Sequence, residues 1–172
     1  MINIHPLLVH FPIAFLVLYS LLEIVSIKRF KYSLWLSNTK ALLVITGFIG
    51  GLFAALSGGF IEDKFSSIHQ IVEMHSFWAG TSNVIFGIIS ILYLIKILNQ
   101  NNVFNFNTES FLGKAWAIKI KVSNYILNNR LMLIPIVLIG LISITITGAL
   151  GASIVYGPNI DPAVKFIYNL VL

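Results

Sequence analysis

The sequence of 172 residues contains no cysteine. That excludes disulfides, iron–sulfur clusters, thiolate metal sites and covalent c-type haem attachment, which needs the two thiols of C-x-x-C-H. Charge is scarce as well. Only 10% of the residues are Asp, Glu, Lys or Arg, and just six are acidic. An ordinary soluble domain is about 25% charged and about 45–50% apolar. Here 58% of residues are hydrophobic and the mean hydropathy is +0.92. A soluble fold of this length could not bury so much apolar side chain and still cover its surface. Most soluble enzymes, disordered proteins and nucleic-acid-binding modules are thereby excluded. The net charge of +5 comes without a basic run resembling a nucleic-acid patch. What remains is an integral membrane protein, with room for four or five spans of about 20 residues each.

Four hydrophobic runs are present, at about residues 7–27, 41–61, 75–98 and 131–156. Each can cross a hydrocarbon core of ~30 Å at ~1.5 Å per residue. Backbone hydrogen bonding inside lipid makes each run a helix. The expected fold is all-α: a single transmembrane domain over residues 1–172, built as an up-down four-helix bundle. Lys28, Arg29, Lys31 and Lys40 fall in the first connection. Lys96, Lys114, Lys119, Lys121 and Arg130 fall at or within the third. Nine of the eleven basic residues thus share one side, which should be cytoplasmic. The protein is expected in the cytoplasmic (inner) membrane, with both termini outside. No positively charged segment precedes the first run, so that run reads as a retained anchor. Phe111, Ala115, Ile118 and Val122 make an apolar stripe bordered by Lys114, Lys119 and Lys121, which predicts a short interfacial helix in the third connection. Asp161-Pro162 supplies an N-cap and first residue for a short C-terminal helix.

The four histidines, His5, His10, His69 and His75, all sit near the outer ends of the first and third runs. Polar residues at membrane depth are costly and usually functional. His10 is five residues deeper than His5, and His75 six deeper than His69, or roughly 7–9 Å at helical rise. By depth they form two layers, His10 with His75 and His5 with His69. Such pairs suit haem b held between helices, with imidazole on both faces of the iron. One haem is expected on His10 and His75; His5 and His69 would ligate a second or shape the first site. Small residues would line the neighbours: Gly47, Gly51, Ala55 and Gly59 in the second run, Ser143, Thr147 and Gly151 in the fourth, and Ala79 and Ser82 below His75. The same spacing also serves plain helix packing.

Other polar residues carry less. Glu73 follows His69 by four and reads as a solvated loop acid. Glu23 reads as facing the cytoplasmic interface, one turn before Lys28. Trp78 and Tyr156 belong to an interfacial aromatic belt or pack on a macrocycle edge. Lys64 is placed to meet haem propionates or simply to be exposed. No nucleophile–base arrangement, P-loop, glycosidase-like carboxylate pair or H-E-x-x-H is present.

The segment His5-Pro-Leu-Leu-Val-His-Phe-Pro-Ile-Ala14 resembles the opening signature, HP-x-x-VHFPIA, of a bacterial and archaeal family of four-span membrane proteins of unknown function. His75-Ser-Phe-Trp-Ala-Gly80 is similar to that family's histidine at the outer end of the third span. The stretch from Gly148 to Gly157 is similar to its closing small-residue and LVY-type motif, with Ala152-Ser153 where a second glycine is frequent. The resemblance implies a haem-binding or redox-associated membrane protein, and the arrangement also looks like that of membrane b-type cytochromes. Only His5, His10 and His75 match motif positions; His69 enters by layering alone.

The expected function is therefore electron carriage near the outer face by a b-type cytochrome subunit, between quinol and an outside redox partner such as a cytochrome. It would work within a larger membrane redox complex, in contact with the bilayer and not with nucleic acid. An electron-transfer subunit fits better than a self-contained enzyme. The alternatives are a copper- or zinc-binding or assembly protein using the same histidines, and a structural subunit of a redox complex.

Overall fold

The computed structural model describes residues 5–25, 34–59, 69–104, 106, 107 and 109–172, with Pro6 and Leu7 as backbone alone. Lys28, Arg29, Lys31 and Lys64 lie outside the described residues, as does the stretch 60–68. Six helices follow in order: α1 (His5–Val25), α2 (Leu34–Gly59), α3 (His69–Gln100), α4 (Phe111–Asn128), α5 (Arg130–Tyr156) and α6 (Pro162–Val171). Among the described residues there is no strand. Four helices, α1, α2, α3 and α5, are long and apolar enough to cross a membrane.

Two helices begin earlier than the hydrophobic runs. α2 starts at Leu34, so Lys40 lies inside it and not in a connection. α3 starts at His69, which is therefore a first-turn residue and not a loop residue. Hydropathy marks where side chains are apolar; backbone hydrogen bonding carries the helix past that point. At 32 residues α3 is about 48 Å long, well beyond a ~30 Å hydrocarbon core.

The long helices enclose one interior in the cyclic order α1, α2, α3, α5, which leaves α1 and α3 diagonal to each other. Contacts fix the directions. Along α1 and α2, His5 meets Ser57, Pro12 meets Gly50, Leu16 meets Gly47, and Glu23 meets Lys40. One index rises as the other falls, so the pair is antiparallel. The same holds for α2 with α3, through Gly51–Asn83, Phe48–Gly87 and Val44–Ser90. It holds for α3 with α5 through His75–Thr147 and Phe86–Gly140.

Close approach constrains the core glycines. A Cβ at Gly47 would stand 2.7 Å from Leu16 Cδ2, and one at Gly140 would stand 2.9 Å from Phe86 Cζ. Both sit beside the centre of the core, where Leu16, Tyr19, Val44, Phe86, Ile89, Leu133 and Val137 are fully buried. Tyr19 packs edge-on against Phe86 and Tyr93, with centroids 6.2 and 6.1 Å apart. Leu42, Leu56, Val84, Ile91, Ile139 and Ile142 are exposed on the outside of the same helices. An apolar surface on that scale needs lipid around it.

The shorter helices start where their caps dictate. Ser110 accepts a hydrogen bond from the Gly113 amide at 3.0 Å and opens α4. Gly157, at φ 85°, ends α5. Asp161 accepts from the Ala163 and Val164 amides at 2.8 and 2.9 Å, with Pro162 at the first turn of α6. α6 folds back so that Ile167, Tyr168 and Val171 pack on Val72, Ile146 and Leu150.

Candidate functional site

The interior has a polar group of residues at each end. At the end where α1 and α3 begin, the His5 Nδ1 lies 2.8 Å from Ser57 Oγ. The Ser57 hydroxyl spends its own hydrogen on the Ala54 carbonyl, at 2.8 Å. With that hydrogen committed, Ser57 Oγ is placed to accept from Nδ1 of His5, and the ring also makes a hydrogen bond with the Ala54 backbone. His75 Nδ1 donates to the Thr147 carbonyl at 2.9 Å. A carbonyl accepts only, so Nδ1 of His75 carries the hydrogen, and its Nε2 makes no hydrogen bond among the described residues. His75 lies within electrostatic reach of His5.

The register explains why these two meet. His5 lies fourteen residues from Tyr19 along α1. His75 lies eleven residues from Phe86 and eighteen from Tyr93, the two rings that Tyr19 touches. The average is close to fourteen, so His5 and His75 share one depth, about 21 Å from the Tyr19 level. Helical phase agrees. At ~100° per residue His5 falls on the stripe of Pro12, Leu16, Tyr19 and Glu23, all of which are buried. His75 falls on the stripe of Ser82, Phe86, Ile89 and Tyr93, also buried.

Depth alone suggested His10 with His75 and His5 with His69. The structure sets His5 and His75 at one depth on inward-facing stripes, with His75 within electrostatic reach of His5. His10 lies on the opposite side of α1 from the buried stripe and is exposed. His69 is exposed too, at the start of α3, where its Nε2 stands 3.0 Å from the similarly exposed Glu73. Of the small residues, Gly51 is buried but faces Asn83, whose amide donates to its carbonyl at 3.3 Å. Ala55 is exposed, as is Gly59, because a strict four-residue repeat drifts ~40° per step around a helix of 3.6 residues per turn. The residues that do reach the imidazoles are Gly58 and Gly151, where an added Cβ would stand 3.2 Å from Cε1 of His5 and of His75 respectively. Ser143 and Thr147 are buried on the α5 side, and Ser143 Oγ has no hydrogen-bond partner. Ala79 is half-buried, one turn below His75, and Tyr156 is exposed at the end of α5. Ser57 and Gly58 escaped the sequence reading; their signal was the antiparallel register that sets them opposite His5.

The other end is charged. Glu23 and Lys40 form an ion pair at 3.0 Å with side chains only 7% and 6% exposed. Glu23 thus faces the interior and not the interface expected for it. Tyr19 and Tyr93 lie within electrostatic reach of its carboxylate. The Tyr19 hydroxyl is fully buried beside Tyr93. Lys96 donates to Ser37 Oγ at 2.8 Å, Ser123 to the Leu92 carbonyl at 2.7 Å, and Arg130 Nη2 to the Ile24 carbonyl at 3.0 Å. These bonds tie α2 to α3, α3 to α4, and α1 to α5.

No curated protein matches the chain, and no solved structure matches it. The family described as Predicted membrane protein (DUF2231) matches residues 1–161. With four helices fit to cross a bilayer and a match over most of its length, the chain belongs to that family of membrane proteins.

Proposed function

We propose that the protein is a b-type cytochrome subunit that holds one haem between His5 and His75. The observation that carries this reading is the pair itself: two imidazoles at one depth on diagonal helices, each steered through Nδ1 by a fixed acceptor. Histidines that ligate metal commonly donate their other ring N–H to such a partner, which sets tautomer and orientation and raises ligand basicity. Haem iron takes at most two protein ligands, because the porphyrin supplies the other four. Protein zinc takes three or four, and among the described residues no three of His, Asp and Glu converge. The surroundings suit a flat group as well. Gly58 and Gly151 keep the imidazole edges clear, and Ser143 offers a buried hydroxyl without a partner one turn from Thr147.

When bound, the haem would supply reversible one-electron chemistry. The chain's own residues would do the rest. His5 and His75 ligate, Ser57 and the Thr147 carbonyl orient them, and α6 with Val72, Ile146 and Leu150 keeps water from the α3–α5 flank. The concentration of basic residues at the opposite end sets the histidines outside, in an up-down bundle of the cytoplasmic membrane with both termini outside. Electrons would pass between quinol and an outside redox partner within a larger complex.

The purified protein tests the reading. Its dithionite-reduced spectrum should show a b-type α-band and haem extraction should give one porphyrin per chain. His5→Ala and His75→Ala should each remove the band, while His10→Ala and His69→Ala keep it. A colourless preparation that takes up no added haem, or one carrying stoichiometric copper or zinc without porphyrin, overturns it.

A further inference from the structure

We infer that α4 carries a site for one anionic phospholipid at the charged end of the molecule, independent of any group held by the histidines. α4 is pinned by its back. Gly113, Ser123 and Leu127 are buried, and Ser123 bonds the Leu92 carbonyl of a spanning helix. At ~100° per residue, Phe111, Ile118, Val122 and Tyr125 form the opposite stripe, and all four are exposed. Lys114 and Lys121 flank that stripe on one side and Lys119 on the other, and α4 contains no acidic residue to balance them. An apolar stripe edged by unneutralised lysines, fixed against a spanning helix, suits the boundary of a negatively charged leaflet.

The Lys119 edge is shaped further. Phe104 and Phe106 stack at 5.5 Å with 9° between their planes. Trp116 meets them edge-on, at 5.2 and 6.4 Å. With Leu112 and Ala115 these rings line a half-open cavity of about 230 Å³, and Lys119 is the one charged residue on its wall. The rings offer an apolar bed for the upper part of an acyl chain. Lys119, on the same wall, supplies the charge that a lipid phosphate would meet. A soluble anion would leave the rings unused, and a neutral lipid would leave three lysines unmatched; a phospholipid with net negative charge satisfies both.

Native mass spectrometry of the full chain in detergent decides this, with equimolar dioleoyl phosphatidylglycerol and dioleoyl phosphatidylcholine added. One phosphatidylglycerol should be retained about fivefold over phosphatidylcholine, as one lysine near a lipid phosphate would give. Lys119→Gln should lower phosphatidylglycerol retention about fivefold and leave phosphatidylcholine unchanged. Trp116→Leu should lower both, and Lys165→Gln on α6 neither. Equal retention of the two lipids by the unsubstituted protein overturns the site. So does a Lys119→Gln variant that is helical by circular dichroism and retains phosphatidylglycerol as before. If Trp116→Leu fails to fold, Lys119→Gln alone decides.

Discussion

The two ends of the four-helix interior solve the same problem in different ways. Each places polar side chains where water is excluded, and each must repay the desolvation. At the charged end the repayment is mutual. Glu23 takes Lys40, Lys96 takes Ser37, Arg130 takes the Ile24 carbonyl, and Ser123 takes the Leu92 carbonyl. Every one of those bonds joins two helices. At the histidine end the partners are neutral. Nδ1 of His5 meets the Ser57 hydroxyl and Nδ1 of His75 the Thr147 carbonyl, each on a neighbouring helix. Small residues lie beside the rings, and among the described residues Ser143 is a buried hydroxyl there without a partner. An ion pair and carbonyl bonds fasten the charged end, whereas the histidine end is the one on which the proposed haem site rests.

The largest expected effect breaks the histidine end. His5→Ala or His75→Ala should abolish the haem band entirely while circular dichroism still reports a helical protein, because neither residue belongs to the central core. The charged end should respond in the opposite sense. Glu23→Gln or Lys40→Met alone leaves a buried charge without its partner and should cost about 3–5 kcal/mol, read from unfolding in SDS–detergent mixtures. Replacing both at once, as Glu23→Leu with Lys40→Met, should recover most of that loss, since apolar pairs commonly substitute for buried ion pairs. The haem band should survive in all three. If the single and double replacements lower haem content as the histidine variants do, the division between a fastening end and a binding end fails.

How much of this could be read from sequence follows the same divide. The four spans were legible because lipid demands long apolar helices, and caps such as Asp161-Pro162 named their own position. At the histidine end the residues were legible but their directions were not. Depth along the chain put His10 beside His75, whereas the angle around the helix is what aims a side chain inward. His5 is in phase with Pro12, Leu16 and Tyr19, and His10 is not. The four-residue glycine repeat misled in the same way, so that Ala55 and Gly59 turn outward while Gly58 faces His5. Lys40 was hidden for another reason. A lysine next to an apolar run reads as a connection unless its partner Glu23 is known to lie opposite, and that is a tertiary fact.

A smaller effect sharpens the role of the fixed acceptors. Ser57→Ala removes the oxygen that receives the His5 Nδ1 hydrogen. Partners of this kind are typically worth 10–100-fold in metal affinity, so haem titration of the Ser57→Ala protein should show weakening of that order with the α-band still present. The acceptor of His75 is a backbone carbonyl, which no substitution at Thr147 deletes. Thr147→Val should therefore leave haem affinity closer to that of the unsubstituted protein than Ser57→Ala does. Equal losses from the two would mean that the hydroxyls matter for packing and not for imidazole orientation.

The smallest effect tests the space beside the rings. A methyl at Gly151 would stand 3.2 Å from His75 Cε1 and 3.6 Å from Nδ1, and one at Gly58 would stand 3.2 Å from His5 Cε1. The 3.2 Å separations are tighter than ordinary van der Waals contact, so each imidazole must yield by a few tenths of an ångström. The hydrogen bond through Nδ1 resists that shift, and a ligating Nε2, bonded to the same Cε1, would be displaced with it. Gly151→Ala and Gly58→Ala should each broaden or shift the α-band and lower haem affinity by a few-fold, with unfolding in SDS little changed. Gly148→Ala makes the control, because a Cβ there meets nothing within 4 Å although it lies on the same helix. If Gly148→Ala perturbs the band as much as Gly151→Ala, the sensitivity belongs to α5 as a whole and not to the contact with His75.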